Sequence, residues 1–132
     1  MKLKSIILRA DTPTANGNIY PKQLLERIVR DSQPLIVNKR MFGVVGMPPE
    51  DHVNLEDVSH IVTKLEMVGN DMVGEVEIVE GTYAGNIILD LLNGGGEFVL
   101  RPSGIASKLK DDIVSDDYTL ISINIVRKED AA

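Results

Sequence analysis

Two histidines, His52 and His60, are the side chains best suited to move a proton near neutral pH in this 132-residue chain. A serine hydrolase would need one of them within hydrogen-bond reach of a nucleophile, with a third group to orient it. The candidate nucleophiles are Ser5, Ser32, Ser59, Ser103, Ser107, Ser115 and Ser122. Ser103, between Pro102 and Gly104, has the most nucleophile-like setting, on a tight turn at a strand end. The competing reading is a turn serine bonded to its own backbone. His60 lies in an apolar run, where a satisfied, half-buried histidine competes with a general base. His52, in the acidic stretch Glu50-Asp51-His52, reads as solvated.

Other chemistries have less support. Glu50, Asp51, His52, Glu56 and Asp57 crowd together, but their spacing matches no standard ligand pattern, so no metal is expected. Cysteine is absent, which excludes disulfides, thiol catalysis and thiolate zinc sites. Gly94-Gly95-Gly96-Glu97 lacks the Lys-Ser/Thr of a phosphate-binding loop and reads as a helix stop, so no cofactor is expected. From side-chain chemistry alone, the chain is a soluble α+β domain.

Composition narrows the class. Hydrophobic residues make up 43% and charged residues 26%, both near globular averages. The length fits one domain over 1–132 that buries roughly two-thirds of its unfolded surface. A net charge of −6 argues against a general phosphate-backbone binder, so no nucleic acid is expected. No apolar run approaches the roughly 18 to 20 residues that span a bilayer, so no membrane partner is expected. Lys4 interrupts the first apolar run and Asp11 closes it, which argues against a signal peptide.

The elements that must position any site follow from periodicity. Lys2–Leu8 reads as a strand, and Asn16-Gly17 as a turn. Pro21 opens an amphipathic helix of about 11 residues carrying Leu24, Leu25, Ile28 and Val29, which Pro34 limits. A strand is expected over Met41–Val45, ending at Gly46-Met47-Pro48-Pro49, and Glu50–Asp57 should be loop or one turn. Val58–Met67 and Met72–Val79 form an antiparallel hairpin, with Val73, Glu75 and Glu77 on one face and Val76 and Ile78 on the other. Gly81–Asn93 is a second helix. A short strand Phe98–Leu100 ends at Arg101-Pro102-Ser103-Gly104, and Lys108–Asp117 is a charged loop or strand edge. Tyr118–Val126 is the clearest strand, followed by a polar tail. The expected fold is α+β, a small β-barrel or strongly bent antiparallel sheet of about six strands with two main helices.

The order of these motifs carries a resemblance. NGNIYPKQLLERIVR (Asn16–Arg30) is followed by Met47-Pro48-Pro49, then VSHIVTKLEMVGNDMVGEVEIVEG (Val58–Gly81) and a helix. GGGEFVLRPSGIASKL and YTLISINIVRKEDAA complete the series. With its most specific piece at Gly69–Gly81, this series resembles the prohead core proteases of tailed phages. Those enzymes digest the scaffold during capsid maturation and have a fold similar to the herpesvirus assemblin barrel.

The resemblance also implies where catalysis should sit, and there this sequence departs from it. The family's His-Pro histidine corresponds to Met47, and a thioether cannot act as a general base near neutral pH. The nucleophilic serine of a Val-Ser-Ser-Arg-Gly-like stretch corresponds to Arg101, when Gly104 anchors the alignment. The late-strand aspartate corresponds to Asn124. The chain is also shorter than active relatives, which usually extend past the last strand. The expectation is therefore a catalytically inactive member, a capsid decoration, cement or head-assembly protein. Its expected partners are the major capsid protein or other head proteins, and it is expected to form a homo-oligomer. Its expected location is the virion capsid, reached from the host cytoplasm during assembly. Two alternatives stay open: an active maturation protease using Ser103 and His60, and an internal scaffold or regulatory subunit.

Overall fold

Strict alternation in one run of the chain dictates the first sheet. A computed structural model describes residues 1–48, 52–107, 109–110 and 112–130, with the backbone alone at 109, 110 and 130. Strand β1 spans Lys2–Arg9, β2 Phe42–Val44, β3 Val58–Val68 and β4 Asp71–Ile78. β4 buries Met72, Gly74, Val76 and Ile78 and turns Val73, Glu75 and Glu77 outward, as its alternation requires. These four strands form one antiparallel sheet in the order β1-β4-β3-β2.

A second sheet pairs β5 (Phe98–Ile105) with β8 (Thr119–Arg127), and a small hairpin pairs β6 (Leu109–Lys110) with β7 (Ile113–Val114). The two larger sheets meet at both edges. The Gly46 amide donates to the Ile125 carbonyl at 2.8 Å, beside a parallel bridge between Val45 and Ile125. At the opposite edge the Leu100 amide donates to Ser5 Oγ at 2.9 Å, joining β5 to β1. The six longer strands thus close a circuit, β1-β4-β3-β2-β8-β5, which is the expected α+β arrangement. Its interior holds Val62, Val76, Leu100, Ile123 and Ile125, all 0% exposed. Each such side chain contributes ~1.5–3 kcal/mol of burial.

Helix α1 (Lys22–Val37) packs on β3, burying Leu24, Leu25 and Ile28, and α2 (Tyr83–Asn93) packs on β3 and β4. The expected stop at Pro34 is wrong, because α1 runs through it to Val37. Pro34 removes one helical donor, but Ile36 beyond it packs against the core and rewards continuation. The helix ends instead at Lys39, left-handed at φ 56, where the Lys39 and Arg40 amides donate to the Ile36 and Leu35 carbonyls. In α2 the glycine triplet does the same work, with Gly95 at φ 92 and the Gly96 amide donating to Leu91.

A second correction concerns β5, which continues through Arg101, Pro102 and Ser103 to Ile105. Leu100 points its N–H away from β8, towards Ser5, and two residues later Pro102 shares that direction. The missing N–H of Pro102 therefore costs the β5–β8 ladder nothing. The segment expected as a charged loop or edge contains the β6–β7 hairpin, and one turn of 3-10 helix, Leu55–Asp57, closes the acidic loop. Pro49, Glu50, Asp51, Lys108, Asp111 and the tail residues Ala131 and Ala132 lie outside the described residues.

β2 crosses the core at a point that admits no side chain. A Cβ on Gly43 would lie 2.1 Å from both His60 Nε2 and the Ile123 carbonyl oxygen. Gly43→Ala is expected to destabilise the protein by ~3 kcal/mol, at the upper end for overpacking. Urea denaturation beside Gly94→Ala, whose Cβ meets nothing nearer than 3.6 Å and whose backbone is not left-handed, separates this clash from the generic cost of replacing glycine.

Candidate functional site

Residues directly opposite each other in an antiparallel pair share a face. On β5 and β8, Arg101 stands opposite Asn124, and Ser103 stands opposite Ser122. Leu100 and Ile125 form the next pair and turn into the core. The face carrying Arg101 and Asn124 is met by Met47, which follows β2. Asn124 is fully buried, and its Nδ2 lies 3.7 Å from Met47 Sδ. Its Oδ1 accepts from Ser122 Oγ at 2.8 Å and from the Val44 amide at 3.4 Å. Met47, Arg101 and Asn124, separated by up to 77 residues, therefore meet at one place.

An open cleft of 540 Å³ lies over this place. Ile6–Arg9 of β1 and the segment from Thr12 to Asn18 form one side, and Met47, Arg101, Pro102 and Val126 form the other. The loop is shaped by the expected Asn16-Gly17 turn, with Gly17 at φ 84 and its amide donating to the Thr14 carbonyl at 2.8 Å. Tyr20 holds the loop's far end edge-on to Tyr118, with ring centroids 5.5 Å apart. Arg27 of α1 fastens the start of β8, donating to the Asp116 and Tyr118 carbonyls at 2.8 and 2.7 Å. Among the described residues, neither a histidine nor a serine lines the cleft.

Arg101 donates from Nη1 to its neighbour's carbonyl, Leu100, at 2.7 Å and to the Ile6 carbonyl at 3.4 Å. Partial burial lowers its pKa from the usual arginine value, but a guanidinium stays charged in proteins. Among the described residues no carboxylate pairs with it. The arginine thus ties β5 to β1 at the cleft wall and supplies positive charge there.

His60 and Ser103 are not brought together. His60 is fully buried, and both ring nitrogens are engaged: Nε2 lies 2.7 Å from the Ile123 carbonyl oxygen and Nδ1 lies 2.6 Å from Ser59 Oγ. A carbonyl only accepts, so Nε2 carries the hydrogen and Nδ1 accepts from the Ser59 hydroxyl, an assignment that holds the ring neutral. Ser103 stands on β5 opposite Ser122 and shares no hydrogen bond with a histidine. The serine–histidine contact that does exist, Ser59–His60, joins neighbours on one strand, and both are 0% exposed. His52 lines a second cavity of 300 Å³, which shares no lining residue with the first. No group of three or more metal-ligating side chains occurs among the described residues.

Sequence reasoning missed three contributors. Ser59 is the partner of His60, Ser5 caps the Leu100 amide, and the Tyr20–Tyr118 pair frames the cleft. Two of these contacts span more than 90 residues and leave no local mark in the sequence, whereas the adjacency of Ser59 and His60 is a local signal that could have found the first.

The comparisons with known proteins agree with this architecture. A family model described as prohead core protein serine protease matches residues 1–127. The chain belongs to that family. Among curated proteins it is similar to the prohead core protein protease of Enterobacteria phage T4, at 27% identity over 82 residues. That match covers 61% of this chain and 39% of the relative, so the chain spans well under half of the curated relative's length. Among solved structures it is similar to the bacteriophage T4 capsid assembly protease, with a TM-score of 0.87 and 23% identity. The likeness covers 95% of this chain and 80% of the other, and at that identity it speaks for the fold.

The buried imidazole has a measurable consequence. Desolvation lowers the His60 pKa from 6.5 to about 4, against a smaller raising effect of the Ile123 carbonyl. As pH falls below 6.5 the unfolded chain takes up a proton that the folded state refuses until about 4. Stability attributable to His60 is therefore complete above pH 6.5 and falls by ~3 kcal/mol between 6.5 and about 4. Urea titrations across that window should lose this component of the slope in His60→Asn, whatever the variant's stability at neutral pH.

Proposed function

We propose that this chain is a non-catalytic, prohead-protease-like protein of the phage head, acting as a decoration or cement protein or in head assembly. One observation carries the reading. Met47 and Arg101 line the cleft with Asn124 buried against Met47 and opposite Arg101, and none of them supplies a base and nucleophile for acyl transfer. A thioether does not exchange a proton near neutral pH, an arginine keeps its charge, and a carboxamide does not hold an imidazolium as a carboxylate does. The donors of Arg101 to the Ile6 and Leu100 carbonyls support a structural use of that position. The engagement of both His60 nitrogens within the core weighs against a displaced serine–histidine pair.

On this reading the partners are the major capsid protein or other head proteins. The chain works in the host cytoplasm during assembly and remains in the virion capsid.

Purified protein incubated with scaffold and capsid proteins is expected to generate no new termini by mass spectrometry, while virions are expected to contain the chain. Cleavage that disappears in Ser103→Ala would sink the proposal and establish the active-protease alternative. Presence in proheads with absence from virions would replace the decoration role with that of an internal scaffold or regulatory subunit.

A further inference from the structure

The cleft over Met47 and Arg101 carries the charge that the rest of the chain lacks. Net charge is −6, yet the described residues lining the cleft include two arginines, Arg9 and Arg101, and no carboxylate. Arg9 is paired with Asp71 at 3.5 Å. Arg101 has no such partner among the described residues. Its Nη1 makes both bonds, to the Leu100 and Ile6 carbonyls, and its Nε and Nη2 meet no acceptor there. Those two groups form the side of the guanidinium fork that holds a carboxylate through parallel hydrogen bonds.

The cleft also offers a short length of strand edge. The Ala10 amide donates to the Asn70 carbonyl, continuing the β1–β4 ladder. Its neighbour Arg9 therefore turns its own N–H and C=O the other way, towards the cleft it lines. This edge is closed at both ends. Ile6 accepts from Arg101 at one, and the Asp11 amide donates to the Tyr20 carbonyl at 2.9 Å at the other. At ~3.3 Å per residue, only about three residues of a guest strand fit between them. A chain running through would have to climb out at both ends, whereas a chain that stops inside needs one exit.

We propose that the cleft holds the free C-terminus of a partner protein, added as a strand antiparallel to β1, with its α-carboxylate on Nε and Nη2 of Arg101. Arg101 sits at the Ile6 end, so the guest ends there, and a residue upstream exchanges hydrogen bonds with Arg9. Ile6 and Met47, 38% and 57% exposed, lie beside the terminus and favour an apolar last side chain. The inference deepens the non-catalytic reading and rests on it, because the terminus is held and not cut.

Peptides randomised over their last four residues, ending in either a free carboxylate or an amide, are passed over the immobilised chain and identified by mass spectrometry. The free acids should be retained at least about tenfold over the amides, with aliphatic last residues enriched, as charge-assisted hydrogen bonds require. Arg101→Gln should remove that preference, and Arg30→Gln, on the exposed side of α1, should keep it. Should Arg101→Gln fail to fold by circular dichroism, acid against amide on the native chain decides alone. Retained acids should also slow hydrogen exchange of the Arg9 amide at least about tenfold. Equal retention of acids and amides, or retention of neither, overturns this inference alone. Retention without protection of Arg9 overturns the added strand. Peptides recovered shortened would overturn the non-catalytic reading and this inference with it.

Discussion

The carbonyl oxygen of Ile123 sits in the middle of the core, and His60 supplies its hydrogen bond. A buried carbonyl without a donor costs ~1–3 kcal/mol, and no backbone amide is spent on this one. The imidazole that satisfies it must stay neutral, which Ser59 ensures by giving its hydroxyl hydrogen to Nδ1. The same contact bridges the two sheets, because His60 belongs to β3 and Ile123 to β8. β2 passes over the joint only because residue 43 is glycine.

Fixing β8 there fixes what lies on its other face. Ser122, Ile123, Asn124 and Ile125 are all fully buried, so the strand cannot slide by a residue without exchanging its inner and outer sets. Asn124 is thereby held opposite Arg101, and the Gly46 amide bound to Ile125 holds Met47 next to it. Three residues that no local pattern links become neighbours because one strand has no freedom of register. The cleft above them depends on the other edge, where Ser5 and Arg101 tie β1 to β5.

This arrangement separates scaffold from chemistry. The family model spans residues 1–127, and the α+β fold rests on positions that bury apolar surface or turn the chain. The residues at and beneath the cleft contribute differently: Arg101 on its wall through hydrogen bonds to two carbonyls, Asn124 buried below through Ser122 and Val44. Each of those bonds stabilises the closed circuit of strands without requiring a proton to move.

The sequence by itself determined what acts over a few residues. The β3–β4 hairpin follows from alternation and a glycine turn, α2 from its periodicity, Thr82 cap and glycine stop, and the cleft loop from Asn16-Gly17. The ordered series of these motifs was enough to point to the family. Tertiary structure decided the rest. Pro34 ends a helix by local rules, but Ile36 beyond it finds the core and the helix continues. Pro102 breaks a strand by local rules, but on β5 its missing N–H faces away from the ladder. His60 could have been a base or a core residue, and only a carbonyl 63 positions away made it the second. Short-range sterics and hydrogen bonding are written in neighbouring residues, whereas the partner of a buried polar group is chosen by how distant strands pack.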